Sequence, residues 1–153
     1  MTDRALSLFP ERIAADLRPL LSSMQEGSSH LFAPLCSISG DPNPSNWGLR
    51  EDASPVLFDW ERFGAGTPAL DLAITVPGLG DEDDRRAVAS TYLDGWPGAP
   101  FPIDRLTRDM ALAKAWTVVE LLSGYAEGQV RAASVIGRLL EVFPPWVAEI
   151  GSL

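Results

Sequence analysis

The stretch that decides the fold of this chain is not helical. Residues 35–73 read LCSISGDPNPSNWGLREDASPVLFDWERFGAGTPALDLA. A short apolar segment leads into a loop rich in Pro and Asn, and a strand is predicted at residues 55–60. The glycines of residues 64–67 predict a second loop, and Pro68 is well placed to begin a helix. One or two short β-hairpins are therefore expected near the middle of the chain.

Helical periodicity flanks this stretch on both sides. Apolar residues recur at helical spacing from Pro10 to about Gln25, and Pro19 is expected to kink or split that helix because its ring clashes with the preceding turn. The later helices are predicted at residues 81–93, at residues 104–123 with Gly124 as stop signal, and at residues 129–143, ended by Pro144 and Pro145.

The pattern predicts an α+β fold that is mainly α. A length of 153 residues fits one domain, with a motif core at residues 35–73 and a helical region at residues 81–150.

The acidic charge balance narrows the classes of partner. The formal net charge is −9, which repels phosphate backbones and anionic membranes, so neither nucleic acid nor a membrane is an expected partner. No apolar run approaches the length of a bilayer-spanning helix, and the first residues do not resemble a secretory signal. The expected location is cytoplasmic. An acidic surface favours cationic small molecules instead.

The chain has a single Cys and a single His. Cys36 has no partner for an intrachain disulfide and, beside apolar neighbours, is predicted to be a core thiol. His30 lies in a polar stretch and is predicted to be a solvated loop residue.

Three side chains with oxygen atoms could form a site for a metal ion and for proton transfer. Asp41 and Asn46 share one loop, and Asp59 follows in an apolar strand, where a carboxylate is costly unless a cation or donors satisfy it. Mg²⁺ binds through one or two protein oxygens and leaves positions for substrate phosphates. A carboxylate that does not hold metal can accept the proton of an attacking hydroxyl. The pattern points to phosphoryl transfer.

Two other interpretations of the same residues are weaker. Asp41 to Asp52 approximates a calcium loop, but Asn46 replaces its central glycine and two prolines resist its turn. Residues 64–69 mimic a dinucleotide-binding fingerprint, but helices rather than further parallel strands follow.

At these positions the chain resembles the aminoglycoside phosphotransferase and choline kinase-like group of small-molecule kinases. That group has a catalytic loop His-Gly-Asp followed by Asn, a metal segment Asp-Trp-Glu, and an element Gly-Asp-Pro-Ala-x-Asp-Leu-Ala. The matching positions are Gly40, Asp41, Pro44 and Asn46, then Phe58, Asp59, Trp60 and Glu61, then Gly66, Pro68, Ala69, Asp71, Leu72 and Ala73.

The resemblance implies a protein-kinase-like C-terminal lobe and a role for each matched residue. Asp41 would orient and deprotonate the acceptor hydroxyl, and Asn46 and Asp59 would hold Mg²⁺ on the phosphates of ATP or GTP. Asp71 would brace the catalytic loop by hydrogen bonds to its backbone. Ser39 stands where the group usually has His, and also supports the loop.

Further departures from the group concern the chain as a whole. Thr67 stands where the group usually has Asp, and no glycine-rich hairpin or lysine precedes Asp41. The N-terminal nucleotide-clamping lobe is therefore expected to be absent. Two functions are consistent with this expectation: a phosphotransferase that is incomplete or weakly active alone, and a non-catalytic kinase-derived binding domain.

The acceptor is expected to be a small molecule with a hydroxyl. Glu61, Trp116 and Glu120 are candidate substrate-binding residues, because an aromatic face and carboxylates both attract an ammonium group. The alternative for Trp116 is a core position on the buried side of its helix, and for Glu120 a solvated one. A second chain or self-association is expected to cover the face where the other lobe would sit.

Overall fold

The computed structural model describes residues 1–151. Within that range the chain is mainly helical, with two small antiparallel sheets, which confirms the predicted fold class. The helices are α1 (Thr2–Leu6), α2 (Glu11–Gly27), α3 (Pro68–Thr75), α4 (Glu82–Gly95), α5 (Ile103–Ala126) and α6 (Ala133–Ile150). The strands are β1 (Cys36–Ile38), β2 (Trp47–Leu49), β3 (Pro55–Leu57) and β4 (Gly64–Gly66). Short 3-10 turns at Ser29–Phe32 and Pro44–Asn46 complete the described elements.

These elements form two compact units. One consists of residues 1–28 and the chain from Lys114 onward, and the other of residues 29–113. The first unit contains helices joined by short loops and no strand in its described part, and its core is built from the apolar faces of α2 and α6 together with the second half of α5. Phe143 and Trp146 stack within it, with ring centroids 6.1 Å apart.

Proline does not interrupt the helices of this unit as the sequence predicted. Pro19 lies inside α2 on its exposed side, while Leu17 and Leu21 keep the opposite face buried. The predicted end of the last helix at Phe143 is also wrong, since α6 continues through both prolines to Ile150. Packing of its apolar face against α2 outweighs the backbone hydrogen bonds that proline removes.

The unit of residues 29–113 contains both sheets. β1 pairs antiparallel with β4, and β2 pairs antiparallel with β3 in a hairpin. The loop predicted at residues 64–67 is wrong, because β4 occupies most of it. Glycine allows this pairing: a Cβ at Gly66 would lie 2.9 Å from Leu70 and 3.0 Å from Ile38.

The predicted strand at residues 55–60 is shorter than expected, and the helix at residues 81–93 is confirmed. β3 ends at Leu57, because Asp59 adopts a left-handed backbone conformation with φ of 59° that no strand can continue. At the start of α4, Asp81 and Asp84 form a reciprocal capping box, with Asp84 N donating to Asp81 Oδ1 at 2.8 Å. No helix within residues 1–151 combines the length and the apolarity that crossing a bilayer requires.

Candidate active site

The loop after β1 is anchored by one carboxylate on α3. Asp71 Oδ2 accepts hydrogen bonds from Ser39 N at 2.7 Å and from Ser39 Oγ at 3.1 Å, and Asp71 Oδ1 accepts from Gly40 N at 2.9 Å. Ser39 is buried, so its backbone N–H has little access to water. Asp71 lies in the first turn of α3, which Pro68 begins, and this fixes where the carboxylate meets the loop.

Gly40 allows the chain to turn at the residue before Asp41. Its φ is +81°, and a Cβ there would lie 2.6 Å from the Cβ of Arg62 and closer still to the Arg62 carbonyl oxygen. Both the conformation and the close approach require glycine. The loop is therefore hydrogen-bonded to Asp71, and at Gly40 it passes close to the backbone of Arg62.

Asp41 and Asn46 meet across the loop. Asn46 Nδ2 donates to the Asp41 carbonyl oxygen at 3.0 Å and to Asp41 Oδ2 at 3.2 Å. Asn43 shapes the turn between them, because its Oδ1 accepts from Ser45 N at 3.2 Å and from Ser45 Oγ at 3.1 Å. Trp47 Nε1 donates to the Pro42 carbonyl at 3.1 Å and closes the loop at its far end. The amide and the carboxylate are thus fixed relative to each other.

Asp59 is placed next to this loop by the hairpin. Phe58 N donates to the Asn46 carbonyl oxygen at 2.7 Å, which ties the segment before Asp59 to the residue that holds Asp41. The expectation of a costly carboxylate in an apolar strand is wrong. Asp59 is exposed beyond the end of β3, and Phe58 and Trp60 beside it are exposed as well. Water or a bound cation can therefore solvate it.

The donor chemistry at this loop fits a magnesium ion shared with a nucleotide. No group of three or more His, Cys, Asp or Glu side chains suited to a metal exists among residues 1–151. Asn46 and Asp59 offer one amide oxygen and one carboxylate. Mg²⁺ commonly takes only one or two ligands from the protein when phosphates and water supply its other ligands. Such a pair is not expected to hold Mg²⁺ tightly in the absence of phosphate ligands.

The two alternative interpretations find no support in the geometry. Asp52 lies in the β2–β3 turn, where its Oδ1 accepts from Ser54 N at 2.9 Å, and Asp41 is held by Asn46. The described residues form two antiparallel sheets of two strands each, so the parallel sheet of a dinucleotide-binding fold is absent from residues 1–151.

The remaining predicted residues are distributed over both units. Glu61 is exposed in the unit of residues 29–113, next to Trp60. Trp116 and Glu120 lie one turn apart on α5, in the part of the chain from Lys114 onward. Trp116 is half-buried and its Nε1 donates to Ser28 Oγ at 2.9 Å, while Glu120 is exposed.

Two predictions outside the motifs are corrected by the structure. His30 is not a solvated loop residue: it is half-buried, and its Nε2 lies 2.8 Å from Oδ1 of the buried Asp109. Cys36 is only half-buried rather than part of a core, and its Sγ donates to the Gly66 carbonyl at 3.4 Å. Thr67 is buried and its Oγ1 has no hydrogen-bond partner among the described residues.

A groove beside the anchored loop was not predicted from the sequence. It has a volume of about 430 Å³ and lies within the unit of residues 29–113. Its walls include Ser39 and Asp71 from the anchored loop, Trp60 and Phe63 from the segment after β3, and Tyr92 from α4. No short motif could have identified Tyr92, because it comes from a helix some fifty residues beyond the loop and only the fold brings the two together.

The surroundings of the groove disfavour the anionic forms of two side chains that line it. Burial is the main cause that raises the pKa of the Cys36 thiol, and the negative charge of Asp71 adds to it. Burial is also the main cause that raises the pKa of Tyr92, with smaller contributions from Cys36 and Asp71. Both groups are therefore neutral near pH 7.

The sequence profile of the phosphotransferase enzyme family matches residues 4–106, about two thirds of the chain. The chain belongs to the phosphotransferase enzyme family. The matched range is wider than the motif core at residues 35–73, and it includes every predicted site residue except Trp116 and Glu120. No curated protein and no solved structure matches the chain.

Proposed function

We propose that this chain is a phosphotransferase domain that moves the γ-phosphate of ATP or GTP to a hydroxyl group of a small molecule. The observation that carries the proposal is the arrangement of Asp41 in a chain of this family. The Asp41 carboxylate is held by Asn46, on a loop that Asp71 anchors through three hydrogen bonds. A carboxylate fixed in this way suits the positioning of an attacking hydroxyl.

In this proposal Asp41 is the catalytic carboxylate. Because Asn46 Nδ2 donates to Asp41 Oδ2, the other carboxylate oxygen, Oδ1, is left to accept a hydrogen bond from the acceptor hydroxyl. That oxygen receives the proton as the hydroxyl attacks the phosphorus atom, and the nucleoside diphosphate leaves. The anchored loop keeps the carboxylate in one orientation, which lowers the entropic cost of the step.

Asn46 and Asp59 would hold the magnesium ion. Donation by Nδ2 to Asp41 leaves the amide oxygen Oδ1 of Asn46 as the ligand atom, and the exposed carboxylate of Asp59 is the second ligand. When bound, Mg²⁺ neutralises negative charge on the nucleotide phosphates. The Phe58 to Asn46 hydrogen bond keeps the two ligands on neighbouring backbone segments.

The fold of residues 29–113 would then correspond to part of a kinase-like C-terminal lobe. The described residues before Asp41 form α1, α2, a 3-10 turn and β1, with no strand–turn–strand that could grip phosphates. We therefore expect weak transfer by this chain alone, because transition-state charge must be stabilised on both sides of the phosphates. Membership of the family does not favour the non-catalytic alternative.

The test is calorimetric titration of the chain with ADP in the presence and absence of Mg²⁺. Binding is expected to require Mg²⁺, and Asp59→Ala should weaken it by at least about tenfold because one of two protein ligands is lost. Asp94→Ala is the matched control, since it removes another exposed Asp that lies outside the site. Asp41→Ala should leave ADP affinity almost unchanged and abolish any transfer. An affinity for ADP that does not depend on Mg²⁺, or that Asp59→Ala does not lower, would contradict the proposal.

A further inference from the structure

The groove beside the anchored loop is lined by sequence neighbours of the proposed functional residues. Ser39 and Pro42, which both line it, lie on either side of Asp41 in the loop. Trp47 follows Asn46 directly, and Trp60 follows Asp59 directly, and both indoles also line the groove. A molecule in this groove therefore lies against residues adjacent in sequence to all three proposed functional side chains. The volume, about 430 Å³, is that of a pocket for a small organic ligand.

Most polar groups that line the groove already have partners within the protein. The Asp71 carboxylate accepts three hydrogen bonds from Ser39 and Gly40. Thr75 Oγ1 donates to the Leu72 carbonyl at 2.8 Å, and the Cys36 thiol donates to a backbone carbonyl. The lining therefore lacks an uncommitted carboxylate among the residues that the structure describes.

The indole N–H groups are committed in the same way. Trp47 Nε1 donates to the Pro42 carbonyl, and Trp60 Nε1 donates to the Leu57 carbonyl at 2.8 Å. What these side chains offer to a ligand is apolar ring surface. Trp60 and Phe63 pack edge to face, yet they are 53% and 58% exposed, so a ligand that covers them removes apolar surface from water.

An ammonium group would meet aromatic ring faces in such a groove but no carboxylate free to pair with it. It would lose water, and the one carboxylate in the lining has its oxygens engaged by the loop. Burial is the main cause of the raised pKa values of Cys36 and Tyr92, and the negative charge of Asp71 adds to it, so the groove disfavours their anionic forms. The net negative charge of the chain, which favours cations at its surface, is therefore a poor guide to this groove.

We propose that the groove holds the uncharged, apolar body of the acceptor alcohol, with the hydroxyl of that alcohol directed to Asp41. This inference rests on the proposed function and names its acceptor class: a neutral alcohol with an aromatic or alicyclic body. Tyr92, Trp60 and Phe63 would determine specificity by contact with that body. The Tyr92 and Ser37 hydroxyls are the groups left to bind a polar substituent on it.

The experiment compares two probes with the same size of fused ring and the same hydroxyethyl group, which differ in charge and by one N-methyl group. One is 2-(2-naphthyl)ethanol, and the other is its N-methylquinolinium counterpart, which carries the same hydroxyethyl group and one positive charge. Binding to the full chain is followed by the ¹H–¹⁵N signals of the indole N–H groups and by calorimetry, with no nucleotide present. The neutral probe should bind more tightly and should shift the signals of Trp47 and Trp60.

A matched pair of variants locates the binding. Phe63→Ala should weaken binding of the neutral probe by about fivefold, because an aromatic contact is lost. Phe32→Ala removes an equally exposed ring, 59% against 58%, that does not line the groove, and should leave affinity unchanged. Because Phe63 is exposed, its loss should not unfold the chain, and the indole signals of the unmodified chain give a second readout that needs no variant.

Three results would overturn the inference. They are tighter binding of the charged probe, equal affinities of the Phe63→Ala and Phe32→Ala variants for the neutral probe, and displacement of the neutral probe by ADP, which would make the groove a nucleotide-base site. The direct probe titrations contain neither nucleotide nor Mg²⁺, and ADP is added only in a separate displacement titration, so the affinities of the probes are independent of the ADP test of the proposed function. Magnesium-dependent ADP binding together with tighter binding of the charged probe would refute the acceptor class alone.

Discussion

Removal of the Asp71 carboxylate should destabilise the loop that follows β1. Asp71→Ala removes the acceptor of three hydrogen bonds, at 2.7, 3.1 and 2.9 Å, from Ser39 and Gly40. The Ser39 hydroxyl can rotate to another acceptor, but the two backbone N–H groups cannot. The buried N–H of Ser39 and the half-buried N–H of Gly40 would therefore lose their partner.

The expected loss of stability follows from these two N–H groups. A hydrogen bond to a charged acceptor contributes about 1.5–3 kcal/mol, so the loss of two should lower the free energy of unfolding by about 3–6 kcal/mol. A loss of that size is a large part of the stability of an ordinary domain. Asp71→Asn keeps one acceptor oxygen but turns an NH₂ group toward the second donor, so about half of the loss is expected.

Urea unfolding followed by circular dichroism measures this loss, and amide hydrogen exchange locates it. In Asp71→Ala the amide protons of Ser39 and Gly40 should lose their protection first, before those of the β2–β3 hairpin. Asp94→Ala, on the exposed surface of α4, is the control and should change little. A fall in unfolding free energy of less than about 0.5 kcal/mol, with both amides still protected, would refute the reasoning.

Three further outcomes are expected. Gly40→Ala should lower the free energy of unfolding in urea by about 1–3 kcal/mol, and by more than Gly98→Ala does. Both glycines have positive φ, but of the two only Gly40 has neighbouring atoms that a new Cβ would meet, so equal losses would contradict this prediction. Cys36 should react with a disulfide reagent more slowly in the folded chain than in urea, because its raised pKa lowers the fraction of thiolate. The folded chain should also lose stability as the pH rises through the alkaline range, because the thiol of the unfolded chain has the lower pKa and releases its proton first. Asp81→Ala should lower thermal stability by about 1 kcal/mol through loss of the α4 cap, whereas Asp83→Ala, which keeps the cap, should cost less; equal effects would show that the cap is unimportant.

Local signals in the sequence were reliable where a single residue sets the backbone. Pro68 begins α3 as predicted, and α4 starts directly after Asp81, the residue at which that helix was predicted to start. Proline was an unreliable signal of a helix break or a helix end, because packing over many residues, and not one residue, decided where these helices stop. Pro19 and Pro145 lie inside helices because apolar faces pack over several turns, and that packing outweighs one missing hydrogen bond.

The environment of a side chain was less predictable than its position. Asp59 was expected inside an apolar strand, but the left-handed conformation at that residue ends the strand and exposes the carboxylate. His30 was expected in water, but it meets Asp109 from α5, a residue 79 positions away. Burial depends on contacts between distant segments, and periodicity within one segment carries no information about them.

The sequence by itself determined the family of this protein, the order of its helices and the short segments that carry Asp41, Asn46, Asp59 and Asp71, because motif spacing and capping are local properties of the chain. The tertiary structure alone decided how those segments meet. It turned Asp71 toward two backbone N–H groups some thirty residues earlier, and it placed Tyr92 of α4 in the lining of the same groove as Trp60 and Phe63. Such contacts form only when folding brings residues that are distant in sequence together. The packing of those residues then sets the shape and the polarity of the groove.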